Sequence, residues 1–336
     1  MSNIKYPWLK KYLYYFDAKK LAHAQLFSGN SGIGKSYFSY ELSKSLLCPN
    51  STKLFDYCGK CISCNSFNSG THPDFKSIQL EGENKVIKIS QLRGTKKDNG
   101  TEGILNFSHE MPLLSKSKII HISSAENMNT ESQNFLLKTL EEPSNNTYIF
   151  LTSSKPYLLK PTLLSRLNHI SVSFPKREET LDWLKSINVE INYQELNFLE
   201  DVNLIDLSSD LINQIRQEID DFASDLAKCN SSKKIEKIAS KWDDSNLLKK
   251  LNWLSKIIRN SIFLKINQGD LKSPLFIESI SYLANSKSLI DLFELSNELN
   301  NLIDGLAKGV NLNNKLQIKA LLSSCLLYTS DAADDC

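Results

Sequence analysis

The sequence has no apolar run approaching the roughly 20 residues that a membrane-crossing helix needs, so a helical membrane protein is not expected. No leader is expected either. The opening MSNIKYPWLKKYLYYF shows no apolar stretch followed by small residues, and a cytoplasmic location with no membrane partner is expected. Nor is there a surplus of one charge: 40 basic residues face 38 acidic ones, for a net +2. That balance excludes a globally basic coat for nucleic acid and leaves only local patches. What is present is ordinary globular material. With 41% hydrophobic and 23% charged residues, wholesale disorder is excluded. A length of 336 residues suits about two to three domains.

Four cysteines stand close together: Cys58, Cys61 and Cys64 in CGKCISC, with Cys48 ten residues upstream. Four thiolates can close a tetrahedral zinc site, and two-residue gaps let a turn aim neighbouring sulfurs at one ion. A Cys-x-x-Cys pair alone could be a redox motif, but a third Cys at the same step argues for metal. Disulfides are disfavoured where no secretory leader is read. Structural zinc is therefore the expectation, since four sulfurs leave no open position for substrate. Cys229, solitary in a helical pattern, reads as packing.

Short apolar runs at Ala24–Ser28, Phe75–Leu80, Lys118–Ile122, Tyr148–Thr152 and Ile170–Phe174 alternate with helical patterns. Such alternation predicts a parallel sheet covered by helices. Thr130-Glu-Ser-Gln133 fits a capping box opening a helix that Pro143 ends. Between the first strand and the next helix lies Gly29-Asn30-Ser31-Gly32-Ile33-Gly34-Lys35-Ser36, a full match to Gly-x-x-x-x-Gly-Lys-Ser. Its backbone N–H groups can cradle phosphates, Lys35 can reach the terminal ones, and Ser36 can ligate Mg²⁺. ATP or ADP with Mg²⁺ is the expected ligand. A working ATPase also needs an acid at the end of a second strand. There, Lys118-Ile-Ile-His-Ile-Ser123-Ser124-Ala-Glu126 offers two serines, and Glu126 falls beyond them. Binding without efficient hydrolysis is predicted.

Taken in order, these residues resemble the delta-prime subunits of bacterial DNA polymerase III clamp loaders, which are AAA+ proteins. The likeness begins at His23-Ala-Gln-Leu-Phe-Ser-Gly and runs through the phosphate loop and the four-cysteine insert. It continues with His72-Pro-Asp74, Ile87–Arg93, Leu136-Leu-Lys-Thr-Leu-Glu-Glu-Pro143 and Leu164-Ser-Arg166, with a weaker echo at Asn314–Leu322. The resemblance implies an α/β then all-α chain. A RecA-like P-loop domain would span 1–174, with a zinc module at about 48–64. A small helical lid over 175–208 and a helical collar over 209–324 would follow. It also implies a hetero-pentameric ring with gamma/tau ATPase and delta subunits, which places a sliding clamp on primed DNA. Within the polymerase holoenzyme, a nucleotidyltransferase complex, such a subunit is the stationary member. It has no turnover of its own and lends an arginine to its neighbour's site. That arginine would be Arg166, whose permanently charged fork suits phosphate oxygens. The family usually follows Ser-Arg with Cys, where Leu167 stands here as an apolar replacement. The alternative is an active gamma/tau-like motor subunit, which Ser123 and Ser124 oppose.

Several residues keep two readings. Glu141 and Glu142 oppose the macrodipole at a helix end, which suits either an interface or a solvated tip. His23 either lies near a nucleotide base or packs. Lys96, Lys97, Lys116 and Lys118 either face DNA or line a solvated surface. From Ser209 on, apolar residues recur at helical spacing, as in Leu211, Ile215, Ile219 and in Leu289, Leu292, Leu295, Leu299, which predicts a helical bundle. At the far end, Cys325-Leu-Leu-Tyr-Thr-Ser-Asp-Ala-Ala-Asp-Asp335 resembles a translated sequencing adaptor, so residues 325–336 are taken as non-native.

Overall fold

A computed structural model of the chain describes residues 4–17, 20–82, 86–94, 103–189, 191, 203–228, 231–242, 246–267, 276–307 and 313–326. The chain forms two compact units, 1–187 with 202–206, and 188–201 with 207–336.

In chain order the first unit contains α1 (Pro7–Lys10), β1 (Ala24–Ser28), α2 (Lys35–Leu47), α3 (Ile62–Asn68), β2 (Phe75–Ile78), α4 (Ile89–Arg93) and α5 (Ile104–His109). These are followed by β3 (Lys118–Ile122), α6 (Thr130–Glu141), β4 (Thr147–Ser153), α7 (Pro161–Leu164), β5 (Asn168–Ser171) and α8 (Arg177–Ser186). The strands form one sheet in the order β2-β3-β4-β1-β5, and every pairing is parallel. All five residues of β1 and of β3 are buried, as central strands covered on both faces require. Leu26 points into an aliphatic core with Ile120, Leu151 and Leu136. Its neighbour Phe27 points the other way, edge-on to Phe38 and Phe150 at 5.8 and 6.1 Å between centroids. Because the strands are parallel, β1, β3 and β4 end on the same side, where ligands of such sheets bind.

Three details differ from expectation. The expected strand Ile170–Phe174 begins two residues earlier. Polar side chains recruit Asn168 and His169: Asn168 Nδ2 donates to Gln25 Oε1 at 2.7 Å, and the His169 ring bonds the Ser28 hydroxyl. As an edge strand, β5 needs only one buried face, so apolar content misplaces its start. The cap of α6 is Asn129, one residue before the expected Thr130; its Oδ1 accepts from the Ser132 N–H at 2.8 Å. And of the expected lid, residues 175–187 and 203–206 belong to the first unit, with Trp183 packed edge-on to Trp8 at 5.2 Å.

His72-Pro-Asp74 turns out to be a structural clasp. The buried Asp74 carboxylate accepts N–H bonds from Leu113, Leu114 and Ser115 at 2.7–2.9 Å and the Ser115 hydroxyl at 2.8 Å. Burial pushes this carboxyl up, but those donors outweigh it and hold it below the ordinary range. The loop before β3 is thereby pinned to the start of β2.

The second unit holds α9 (Ser209–Lys228), α10 (Ser232–Trp242), α11 (Leu247–Asn267), α12 (Ile277–Ser286), α13 (Leu289–Ala307) and α14 (Asn314–Leu326). Of the predicted stripes, Ile215, Ile219, Leu292, Leu295 and Leu299 are buried and Leu211 and Leu289 half-buried; Leu251 and Leu254 of α11 are buried as well. Phe222 stacks on Trp242 at 5.0 Å, and Asp225 accepts from Lys241 and from Trp242 Nε1. α14 runs to Leu326, and its buried stripe of Ile318, Leu321 and Leu322 extends through Cys325, past the point where the sequence pattern breaks.

Candidate functional site

The loop between β1 and α2 follows from its glycines. Gly29 has φ +143°, and a Cβ there would lie 2.1 Å from the Val172 carbonyl oxygen; Gly34 caps α2 at φ +92°. The loop amides and the N-terminus of α2 face a cleft of about 180 Å³. The cleft is lined by Ser31, Lys35 and Ser36 of the loop, Ser124 after β3, Thr152–Ser154 of β4, and Ile205. Lys35 folds back on the loop, donating to the Gly29 and Asn30 carbonyls and to Ser154 Oγ. Burial lowers its pKa to about 8, partly offset by Glu126. The Ser36 hydroxyl lies 3.4 Å from Thr152 Oγ1. The eight residues of the sequence motif run from the loop after β1 into the first turn of α2, beside the end of β4.

Where an ATPase needs acids, the end of β3 presents hydroxyls. Ser124 lies in the left-handed region, φ +52°, and its N–H donates to Thr152 Oγ1 at 3.2 Å. Ser123 Oγ lies 3.4 Å from His121 Nδ1. Glu126 sits in the turn that follows, and its Oε1 accepts the Ser154 N–H at 3.0 Å. One oxygen of this carboxylate is thus held at the end of β4, while the other, Oε2, is buried without a hydrogen-bond partner.

His121 is a residue that apolar counting passes over. It is fully buried in β3, with Nε2 2.7 Å from Ser39 Oγ on α2, so it ties the phosphate-loop helix to the serine pair. Burial lowers its pKa to about 3. A lowered pKa means that its contribution to stability is present above the ordinary 6.5 and is lost as pH falls toward 3, at about 1.4 kcal/mol per pH unit. His121→Phe should therefore shrink the stability difference between pH 7 and pH 5 by about 2 kcal/mol, read from denaturant melts at both pH values. Ser39 keeps its bond to the Ser36 carbonyl in that variant.

Cys48 caps the far end of α2, and Cys61 caps α3. The four sulfurs of Cys48, Cys58, Cys61 and Cys64 lie within 4.8 Å of one another, with Cys48–Cys58 at 3.7 Å and Cys48–Cys61 at 3.9 Å. A tetrahedron with Zn–S bonds of about 2.3 Å has sulfurs roughly 3.8 Å apart, which the two Cys48 distances match and to which the widest separation need close by no more than about 1 Å. The backbone at Lys60, the Asn50 side chain and the backbone at Cys61 lower the Cys58 pKa to about 6, and burial raises Cys64 to about 12. Cys229 lies outside the described residues.

Arg166 follows α7 on the surface. Its Nη2 pairs with Glu141 Oε1 at 2.8 Å, and its Nη1 donates to the Thr162 carbonyl at 2.9 Å. Glu141 thus has a partner that spacing did not suggest. Leu167 is buried and fills the packing role expected of it. Of the lysines, Lys118 is only 1% exposed, paired with Glu110 at 3.1 Å and lying over the Phe107 ring, which rules out a DNA-facing role. Lys116 is exposed, and Lys96 and Lys97 lie outside the described residues. His23 stands half-buried at the amino end of β1, a strand length of about 16 Å from the phosphate loop.

A family model described as DNA polymerase III, delta subunit matches residues 7–176, the segment that holds the loop, the cysteines and Arg166. The chain belongs to the delta-prime family of DNA polymerase III. Among delta-prime relatives, the protein named DNA polymerase III subunit delta-prime in Pseudomonas aeruginosa is 32% identical over 55% of this chain and 53% of its own length. This chain thus spans about half of that relative. The delta-prime subunit of Buchnera aphidicola from Baizongia pistaciae is 26% identical over 76% of this chain and 78% of its own. A gamma subunit from Buchnera aphidicola of Acyrthosiphon pisum is 29% identical over 51% and 44%. Among the described residues no helix is long and apolar enough to cross a membrane.

Proposed function

We propose that this chain is the stationary subunit of a clamp loader in DNA replication: it holds a nucleotide without hydrolysing it and presents Arg166 to a neighbouring ATPase. The observation that carries the reading is the pairing of a complete phosphate loop with two serines, Ser123 and Ser124, at the end of β3. Lys35, Ser36 and the loop amides have what phosphate and Mg²⁺ binding needs. Two hydroxyls carry no charge with which to hold the metal or polarise water, and Glu126 stands beyond them, tied through Oε1 to the Ser154 amide. The likeness to a gamma subunit keeps the motor reading in view, but that reading needs a carboxylate where Ser123 or Ser124 stands.

The partners are gamma/tau and delta subunits in a five-membered ring, with the sliding clamp and primed DNA reached through that ring. The helices α9–α14 supply the collar that joins it, and zinc holds the cysteine module. Mixing the chain with gamma/tau and delta subunits should give one stoichiometric complex in gel filtration. A chain that elutes alone at micromolar concentration contradicts the assignment.

A further inference from the structure

In a phosphate loop the lysine reaches the terminal phosphates and the loop amides hold the inner ones. A nucleotide here would therefore point its tail at Lys35 and Ser124, and its nucleoside would leave past Gly34 and the first turn of α2. The side chains along that exit are packed on one another and leave the nucleoside in solvent. A Cβ on Gly34 would lie 3.2 Å from Leu9 Cδ1, 3.3 Å from Ile205 Cγ2 and 3.8 Å from Tyr6 Cδ2. Tyr6 packs edge-on against Tyr37 of α2 at 4.8 Å between centroids, and against Trp8 and Trp183 at 5.3 and 5.6 Å. The cluster is fastened to the loop itself. Trp8 Nε1 donates to the Ile33 carbonyl at 2.9 Å, and the Tyr6 hydroxyl donates to the Ile205 carbonyl at 3.3 Å.

An open aromatic face is the main sequence-tolerant way a protein holds a base. Tyr6 is 5% exposed and Trp8 1%, so their faces are already spent on each other. Among the described residues of the cleft, Ile205 is the one large apolar side chain, and it is seated against Tyr6 and Gly34. The volume of about 180 Å³ also falls below the roughly 300–1,000 Å³ of pockets that enclose drug-sized ligands.

We infer that this cleft recognises a polyphosphate chain and not the base attached to it. The inference rests on the phosphate-loop reading above and deepens it. Inorganic tripolyphosphate, ATP and GTP are then equivalent ligands, each with Mg²⁺, seated by Lys35, Ser36 and the loop amides.

Calorimetry on the full chain with magnesium tripolyphosphate, MgATP and MgGTP tests this. The three dissociation constants should agree within about threefold, and Lys35→Ala should weaken all three together by about tenfold or more. ATP binding over about tenfold tighter than GTP or tripolyphosphate overturns the inference and leaves the phosphate-loop reading standing. Tripolyphosphate binding that survives Lys35→Ala also overturns it, because the ligand then sits elsewhere. If none of the three binds, the phosphate-loop reading fails and the inference fails with it.

Discussion

Arg166→Ala is expected to leave ring assembly intact and to lower DNA-stimulated ATP turnover at the adjoining site by about 10³-fold, the lower end of what an arginine finger contributes. The proposed role rests on the accessibility of this side chain. It emerges just after α7, is about 38% exposed, and is steadied by the Thr162 carbonyl and Glu141. Three contacts from its Nη atoms leave further guanidinium N–H donors to face outward, and the charge is permanent. An exposed ion pair such as Arg166–Glu141 contributes about 0–1 kcal/mol, so its loss alone will not unfold the chain. Arg166→Lys should recover little, because an ammonium lacks the planar fork. Steady-state turnover of the reconstituted ring checks both variants, and an unchanged rate removes Arg166 from the site.

The second large effect is expected at the cysteines. Cys61→Ser should reduce bound zinc from about one equivalent to none and cost on the order of 4 kcal/mol of stability, the range that loss of a structural metal occupies. The cost spreads because the module is tied into the first unit. Cys48 ends the phosphate-loop helix, and Ser63 Oγ donates to the Leu47 carbonyl at 2.8 Å. The Tyr57 hydroxyl donates to Glu41 at 2.9 Å, and Phe55 stacks near Phe38 at 4.6 Å. Metal analysis with thermal melts reads both quantities. A metal-free protein of unchanged stability would rule the site out.

The parts of this molecule visible in sequence were those governed by strict local chemistry. Gly29 and Gly34 occupy backbone conformations that side chains resist, and four cysteines at fixed spacing leave few alternatives. Central strands such as Lys118–Ile122 declare themselves by short runs rich in β-branched apolar residues. Elements fixed by tertiary contacts were harder to see. β5 starts at Asn168 because Gln25 and Ser28 supply hydrogen bonds from another strand, and Lys118 looked solvated until Glu110 and Phe107 enclosed it. The cap of α6 was misplaced by one residue because Thr130 and Asn129 are both good capping types. The expected lid divided differently because Trp183 has its partner, Trp8, some 175 positions away.

We propose that the phosphate loop holds a nucleotide without turning it over. Nucleotide occupancy and ATP hydrolysis measured on one sample of the isolated chain test it most directly. The account predicts saturable binding with no turnover above background. Turnover that disappears in Lys35→Ala would contradict it and make this chain a motor subunit.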